Sequence, residues 1–401
     1  MKKFFLSFVV FFYYLSLYSQ NQGFIHRNEN YLIDGENKYV ELNGVNLGGW
    51  LMWEGWIWGG GFNRQNKITK KLETFYGKEK INEFRKDVYK NFIQKADIKV
   101  ISEMGFSSVR VPFNHILFEN EENPLKYKEE GFAVIDSLLS WCETFGVYAI
   151  LDFHGTPGGQ NGFFISDYDD VKLWKSESNK KRTISLWYEI AKRYSNRSII
   201  GGYDLINEPG FVKSKQLIDL YKSIIDTIRS VDKNHLIILE GKNLATSFKG
   251  FNCVLDSNQI FSFHFYPWGK PKLLKISQLK KLQKFSNKLE VPLWCGEWGE
   301  DKIKKLKENR TLLHDKKIYF CGSSFWTWKK VITNKKRLAL NEVLPGKEWL
   351  RLIESTKTSK KKKNEVHSEK ALKDFLNAIK LENCKQSEEL KSILHPKTFI
   401  F

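Results

Sequence analysis

The stretch GYDLINEPG, Gly202 to Gly210, decides the fold of this chain. An apolar run ends there in Asn207, Glu208 and Pro209. A buried strand does not end in a carboxylate unless the carboxylate is needed at that place, because an ionised side chain is costly to bury. The stretch therefore predicts a buried strand that presents one acidic side chain at its end.

Seven further apolar runs alternate with longer amphipathic segments, a pattern typical of a parallel sheet covered by helices. Eight strand–helix units predict an α/β fold with one closed (β/α)8 TIM barrel. The alternative, an open doubly wound sheet, requires a glycine-rich phosphate-binding turn after an early strand, and GVNLGG at 44–49 lacks that spacing. The predicted strands are 39–47, 107–113, 147–154, 201–208, 236–241, 260–266, 292–298 and 318–328.

The segments between the strands repeat apolar residues at the i, i+3, i+4 spacing of helices. A late helix is predicted at 368–384, after the eighth strand. No linker interrupts the alternation, so we expect a single barrel domain over residues 24–401. The other predicted helices are 91–105, 131–146, 183–196, 214–231 and 276–289.

The first residues predict a secretory signal peptide over 1–19. Lys2 and Lys3 precede the mostly apolar run Phe4–Tyr18, and the small residue Ser19 follows it. The run is shorter than the roughly 20 residues that span a bilayer. We therefore expect an exported protein, periplasmic or extracellular, without an integral membrane segment.

The composition excludes a disordered or fibrous protein, because 41% of the 401 residues are hydrophobic and 13 are Trp. The net charge of +19 favours acidic surfaces, and its sharpest run is Lys360–Lys363. That run has no interleaved aromatic residues, and we expect no nucleic-acid partner for an exported chain. We expect no metal or cofactor, because no cysteine or histidine cluster has the spacing of metal ligands. We also expect a monomer. The cysteines are Cys142, Cys253, Cys295, Cys321 and Cys384, of which Cys295 and Cys321 are predicted to be buried.

Polar or aromatic residues occupy the ends of the predicted strands, where the active sites of eightfold barrels lie. Glu208 ends the fourth strand and Glu297 the seventh, so the two carboxylates can face each other across the barrel mouth. Two such carboxylates are the minimum for glycoside hydrolysis, one as the acid and the other as the nucleophile or base. The strand-end residues are Arg110, His154, Asn207, Glu208, His264, Tyr266, Glu297 and Trp326.

The neighbours of these carboxylates suit the same chemistry. Arg110 is expected to keep a nucleophile ionised and oriented. Asn207 is expected to hydrogen-bond a sugar hydroxyl, and His264 and Tyr266 to position the carboxylates. A barrel that binds polysaccharide without turnover, or a basic adhesin, would need neither the two carboxylates nor Arg110.

The ordered set of motifs resembles glycoside hydrolase family 5, the retaining β-glycanases, over essentially all of residues 24–401. LINEPG is similar to the acid/base motif of that family, and CGEWG to its nucleophile motif. The resemblance implies Glu208 as general acid/base and Glu297 as nucleophile, and the nucleophile role predicts a low pKa for Glu297. The residues that match the family's other core positions are Arg110 in VRVPF, His154 in LDFHG, Asn207, His264 and Tyr266 in FHFYPW, and Trp326 in FWTWK.

Two predicted loops resemble one branch of this family more specifically. GVNLGGWLMWEGWIWGG at 44–60 and HGTPGGQNG at 154–162 resemble the exo-β-1,3-glucanase-like branch and related bacterial β-glucanases. In that branch an acidic residue binds the non-reducing-end sugar, and Glu54 occupies the matching place. The resemblance implies a β-glucan oligosaccharide or polysaccharide as substrate, with β-1,3 linkage favoured. WEGWIWGG departs from the fungal-type sequence, so exo versus endo action and β-1,3 versus β-1,4 linkage, as in an endo-β-1,4-glucanase, stay open.

Tryptophans near the predicted mouth offer stacking surfaces for the apolar faces of sugar rings, although any one of them can instead pack in the core. We expect about half of them to contact sugar. They are Trp53, Trp56, Trp58, Trp268, Trp298 and Trp328.

Overall fold

The computed structural model describes residues 23–315, 317–333, 338–356 and 368–396. The predicted signal peptide and the basic run Lys360–Lys363 lie outside these ranges. Within them, no helix combines the length and apolarity needed to cross a bilayer.

Eight parallel strands close into a barrel in which each strand pairs with the next and the last pairs with the first. All eight predicted strands are present, four of them within the predicted bounds and four shifted by one residue at one end, and the predicted (β/α)8 fold is confirmed. Their side chains are buried on both faces, because helices cover the outside of the sheet. The strands are β1 (Gly44–Asn46), β2 (Ser108–Asn114), β3 (Tyr148–Gly155), β4 (Ile200–Asp204), β5 (Ile237–Glu240), β6 (Gln259–Phe265), β7 (Leu293–Trp298) and β8 (Ser323–Phe325).

Amphipathic helices surround the barrel, and each buries an apolar stripe against the strands or against neighbouring helices and loops. The predicted helix at 276–289 begins earlier, at Lys272, and the one at 183–196 begins at Glu177. The helices are α1 (Gln65–Tyr76), α2 (Lys78–Asn91), α3 (Lys95–Glu103), α4 (Glu129–Phe145), α5 (Glu177–Tyr194), α6 (Ser214–Val231), α7 (Lys272–Leu289), α8 (Ile303–Leu313), α9 (Lys347–Ser355), α10 (Lys370–Ala378) and α11 (Glu388–Leu394).

Helices α1 and α2 were not predicted, and the helix predicted at 91–105 begins later. Polar and charged residues occupy most positions of α1 and α2, so only a narrow apolar stripe marks them. The later start of α3 has a local cause: the backbone N–H of Gln94 donates to Asp97 Oδ2 at 2.8 Å in a capping box. The helix predicted at 368–384 is α10 followed by a short 3-10 turn at Leu381–Asn383.

Two small sheets flank the barrel. An antiparallel hairpin, His26–Asn28 with Tyr31–Ile33, contributes Leu32 to an apolar cluster with Tyr148 and Leu236 near the strand starts. A three-stranded sheet of Lys329–Val331, Asn341–Val343 and Lys385–Gln386 follows β8. These additions leave the carboxyl ends of the barrel strands as the open face.

All five cysteines lie in the described ranges, and none forms a disulfide. Cys295 and Cys321 are fully buried among the strands, as predicted. Burial raises the pKa of the Cys295 and Cys321 thiols, so both remain protonated and behave as small apolar side chains.

Candidate active site

A pocket of about 370 Å³ opens at the carboxyl ends of the strands. Arg110 and Asn207 do not line it; both are fully buried and contact residues that do. The remaining predicted site residues converge here because a closed parallel barrel delivers all its strand ends to one face. Those that line the pocket are Glu54, His154, Glu208, His264, Tyr266, Glu297 and Trp326.

Arg110 on β2 is the centre of the polar network beneath the pocket. Its Nη1 donates to Glu297 Oε1 at 2.5 Å, and its Nη2 donates to Asn207 Oδ1 and Glu240 Oε1, both at 2.9 Å. Its Nε donates to Asp204 Oδ2 at 2.9 Å. A guanidinium fixes several acceptors at once in one plane, so this residue sets the orientation of Glu297.

His264 at the end of β6 bridges the two predicted catalytic carboxylates. Its Nδ1 lies 2.6 Å from Glu208 Oε1 and 3.6 Å from Glu297 Oε2. The Tyr266 hydroxyl donates to the same Oε2 at 3.0 Å. Arg110, His264 and Tyr266 thus hold Glu297 from three sides, whereas Glu208 is held on one oxygen only.

Glu208 and Glu297 face each other closely. One donor atom from each of Glu208, His264 and Glu297 lies within 4.8 Å of the other two. Glu208 lies four residues beyond the end of β4, in a turn where its φ is +47°, rather than at a strand end as predicted. This left-handed conformation is uncommon for a residue with a Cβ.

A second set of contacts, centred on His154, fixes the side chains in another part of the pocket wall. His154 Nδ1 lies 2.7 Å from Asp152 Oδ2, and its Nε2 lies 3.3 Å from Asn207 Nδ2. Burial lowers the pKa of His154 to about 4, so the ring is neutral and its Nε2 accepts the amide proton. The ring stacks on Trp326 with centroids 5.6 Å apart. Asn207 therefore uses its side chain within the protein, between Arg110 and His154.

The charges of the network differ from the prediction at one point. Burial raises the pKa of Glu297, with His264 and Arg110 opposing that effect, so the predicted low pKa of this carboxyl is wrong for the free protein. Burial also raises the pKa of Asp152, to about 8, and that of Asp204. Burial thus shifts two of the carboxyls around Arg110 towards their neutral forms, which reduces the negative charge beneath the pocket.

Two sets of side chains offer the oxygen and nitrogen donors that metal ions bind, Glu208 with His264 and Glu297, and Asp152 with Asp204 and Glu240. In the second set, one oxygen of each carboxyl already contacts Arg110. In the first set, His264 Nδ1 already pairs with Glu208. In both sets, therefore, a basic side chain of the protein already contacts atoms that a metal ion would need as ligands.

Residues 65–331 match the sequence model of the cellulase family, glycosyl hydrolase family 5. The chain belongs to glycosyl hydrolase family 5. It is a glycoside hydrolase of that family, since curated relatives include a β-xylosidase of Phanerodontia chrysosporium, 30% identical over 67% of this chain and 60% of the relative. Endoglucanase C of Acetivibrio thermocellus is 26% identical over 65% of this chain and 92% of the relative. A probable glucan 1,3-β-glucosidase A of Aspergillus clavatus is 27% identical over 66% of each.

Solved structures share the fold of this family 5 enzyme. The rutinosidase of Aspergillus niger superposes with a TM-score of 0.60 at 20% identity, over 73% of this chain and 90% of that chain. A β-glucanase of Saccharophagus degradans superposes with a TM-score of 0.54 at 19% identity, over 78% of this chain and 86% of that chain.

The six tryptophans predicted near the mouth of this family 5 barrel divide into two groups. Trp56 and Trp268 line the pocket. The other four have at most 2% of their surface exposed and belong to the core, so two of the six, rather than half of them, line the pocket. Loop residues alternate between the pocket and the interior, and sequence does not reveal which side each ring takes. The four core residues are Trp53, Trp58, Trp298 and Trp328.

Glu54 lies in the long loop after β1, as predicted, and its side chain is almost fully buried in the pocket wall. Its Oε2 accepts a hydrogen bond from Trp56 Nε1 at 2.7 Å. The loop thus presents a carboxylate and an indole together to the same part of the pocket.

Glu240 was missed in the sequence analysis. It ends β5 in LIILEG, and thus carries the same signal, a carboxylate after an apolar run, that marked Glu208 and Glu297. Asp152 lies inside β3, and Asp204 ends β4 but lies inside the strand predicted at 201–208, so sequence alone does not distinguish either from a structural carboxylate.

Proposed function

We propose that this enzyme is a retaining β-glycoside hydrolase that acts on β-glucan, with β-1,3-linked glucan or glucoside as the favoured substrate. The observation that supports retention is the short gap between Glu208 and Glu297, whose nearest donor oxygens lie within 4.8 Å. Retaining enzymes hold their two carboxyls about 5–5.5 Å apart, whereas inverting enzymes leave about 6.5–9.5 Å for a water molecule.

In the proposed mechanism, Glu297 attacks the anomeric carbon while Glu208 protonates the departing glycosidic oxygen. The glycosyl–enzyme ester forms as the old glycosidic bond breaks. Glu208, now ionised, then removes a proton from water, which attacks the ester and releases the sugar with its original configuration. Contacts from Arg110, His264 and Tyr266 support the nucleophile role for Glu297, because a fixed carboxylate attacks along one direction.

The pocket residues support a β-glucan as substrate. Trp56, Trp268 and Trp326 offer aromatic surface to sugar rings, and Glu54 offers a carboxylate acceptor for sugar hydroxyls. A glucan 1,3-β-glucosidase among the relatives supports the β-1,3 linkage. An endoglucanase at similar identity makes endo-β-1,4-glucanase activity the second candidate. We also propose that the enzyme is exported and acts as a monomer.

Retention is tested by proton NMR of the first sugar released from an aryl β-glucoside. We expect the β-anomer to appear first and the α-anomer to follow by mutarotation. An α-anomer that appears first would contradict the two-step mechanism.

Linkage and mode of action are tested by incubation with laminarin-type β-1,3-glucan and, separately, with soluble β-1,4-glucan, followed by sizing of the products over time. Glucose alone, released early from the β-1,3 polymer, is the expected result. Mixed oligosaccharides from the β-1,4 polymer would instead assign the endo-β-1,4 activity.

A further inference from the structure

Glu240 contacts three parts of the catalytic centre at once. Its Oε2 accepts the backbone N–H of Glu208 at 2.6 Å, and its Oε1 accepts Arg110 Nη2 at 2.9 Å. The same Oε1 lies 3.2 Å from His264 Nε2, within ion-pair distance. The residue is fully buried and does not line the pocket, so it reaches substrate only through other groups.

We propose that Glu240 is a positioning residue that fixes the backbone of Glu208 and keeps His264 in its charged, doubly protonated form. The inference rests on the proposed roles of Glu208 and Glu297. It adds to the family motif set a carboxylate that neither bonds sugar nor reacts.

The backbone contact explains how Glu208 keeps an uncommon conformation. With φ at +47°, the residue lies in the left-handed region, which side chains with a Cβ adopt when their surroundings hold them there. A charge-assisted hydrogen bond from its N–H to Glu240 provides such a restraint. Asn161 adds a second, since its Nδ2 donates to the Glu208 carbonyl oxygen at 3.1 Å. Both restraints direct the Glu208 side chain towards the pocket.

The contact with His264 sets the charge of the imidazole. The groups around this ring are the carboxyls of Glu208, Glu240, Glu297 and Asp152, together with the Arg110 guanidinium. Burial disfavours a charged ring, yet Glu240 and Glu297, helped by the bond to Glu208, raise the pKa of His264 well above its usual range.

Glu240 itself is ionised, because His264 and Arg110 lower its pKa although burial opposes them. An ionised carboxylate at Nε2 keeps a proton on that nitrogen. The other ring nitrogen, Nδ1, then presents its own proton to Glu208 Oε1 and faces Glu297 Oε2. His264 can accordingly donate to either carboxylate as negative charge passes from Glu297 to Glu208 during the reaction.

The test compares Glu240→Gln with Asp204→Asn in the full chain. Both variants remove a fully buried carboxyl that bonds Arg110. Among the described residues, however, Asp204 makes no hydrogen bond or ion pair with Glu208 or His264, and burial already favours its neutral form. The measured quantities are kcat and KM on an aryl β-glucoside from pH 4 to 10, and the titration of the histidine ring nitrogens by ¹⁵N NMR.

For Glu240→Gln we expect kcat to fall by about 30-fold or more, with KM changed less than about threefold. The alkaline limb of the profile should move down by about one pH unit, since a neutral amide no longer favours the charged imidazole. The ¹⁵N titration of His264 should move in the same direction. For Asp204→Asn both the limb and the titration should stay at their wild-type positions.

Glu240→Asp keeps the charge but shortens the side chain. It should leave the alkaline limb in place and still lower kcat, because the shorter carboxylate does not reach both Arg110 and the Glu208 N–H. If Glu240→Gln does not fold, Glu240→Asp is the variant that tests the proposal. A wild-type kcat in Glu240→Asp would then overturn the proposal.

An unchanged profile and titration in Glu240→Gln, or the same shift in Asp204→Asn, would also overturn the proposal. Failure of the proposed function looks different: wild-type enzyme would release no sugar from any β-glycoside tested, or Glu297→Gln would keep its activity. The ¹⁵N titration does not depend on turnover, so it separates the two failures.

Discussion

Arg110 and Glu297 form a buried ion pair in which Nη1 lies 2.5 Å from Oε1, at the floor of the pocket. The same guanidinium bonds Asn207, Glu240 and Asp204, so the position of Glu297, the proposed nucleophile, is tied to three other strands or turns of the barrel. Several consequences of this pair and of the pocket walls can be measured.

Arg110→Lys should lower kcat/KM by about 100- to 1,000-fold, because an ammonium cannot hold five acceptors in the geometry of a guanidinium. Glu297 must be ionised to attack, so activity is lost as the pH falls through its pKa. Weaker compensation by the new cation raises that pKa further, and the acid limb should move to higher pH. The profile of kcat/KM against pH on an aryl β-glucoside measures both effects.

The matched control is Arg193→Lys, at an ion pair with Glu129 and Asp136 on the outer surface. Exposed pairs contribute little to stability, and this one lies on the outer helices. We expect less than a twofold change in kcat/KM and no movement of the acid limb. An Arg110→Lys profile that matched this control would show that the guanidinium geometry is not required.

Glu54→Gln should raise KM for a β-glucoside about tenfold, the equivalent of about 1.4 kcal/mol of binding. The substitution keeps the shape of the side chain in the pocket wall but replaces a charged acceptor with a neutral amide. Initial-rate kinetics measure the change, with Glu79→Gln on the exposed side of α2 as the control. Equal KM values in the two variants would remove Glu54 from the sugar-binding surface.

Trp268→Ala should weaken binding of longer glucans without loss of stability. The indole is 51% exposed at the pocket rim and packs on Tyr266 with centroids 5.0 Å apart. We expect KM to rise about fivefold to tenfold on oligosaccharides, and less on a small aryl glucoside. Leu273→Ala, which removes an apolar side chain that is 80% exposed and does not line the pocket, should leave KM unchanged.

Trp58→Ala should act on stability instead. The ring is fully buried, contacts Trp53 and Trp349 in an aromatic cluster, and donates its Nε1 proton to Gly49 O at 2.9 Å. Its removal should lower the free energy of unfolding by about 3–5 kcal/mol, as for other large buried aromatic residues. Urea titration measures this, and Trp268→Ala should stay within about 0.5 kcal/mol of the wild type.

Most of the fold can be predicted from the sequence, because each strand and most of the helices of the barrel have a recognisable local sequence pattern. Each strand is an apolar run of a few residues, and the alternation with amphipathic helices determines a parallel sheet. Helices α1 and α2 were not predicted because polar and charged residues dominate them and their apolar stripe is narrow.

The sequence likewise determined which residues gather at the mouth, since the ends of barrel strands share one face. Glu208, Glu297 and His264 could be chosen from their places after apolar runs. Glu240 also ends an apolar run but was not predicted as a site residue. Its contacts with Glu208 and Arg110 in the structure identify it.

Only the tertiary structure decided which tryptophans line the pocket, how far apart the two carboxylates lie, and how the charges beneath them balance. These properties depend on distances between residues about a hundred positions apart in the chain, as between Arg110 and Asn207. The pKa of Glu297 is the clearest case: its predicted role implies a low value, but burial raises it against the opposing effects of Arg110 and His264. Burial is a property of the packed barrel, which is why the sequence alone does not contain it.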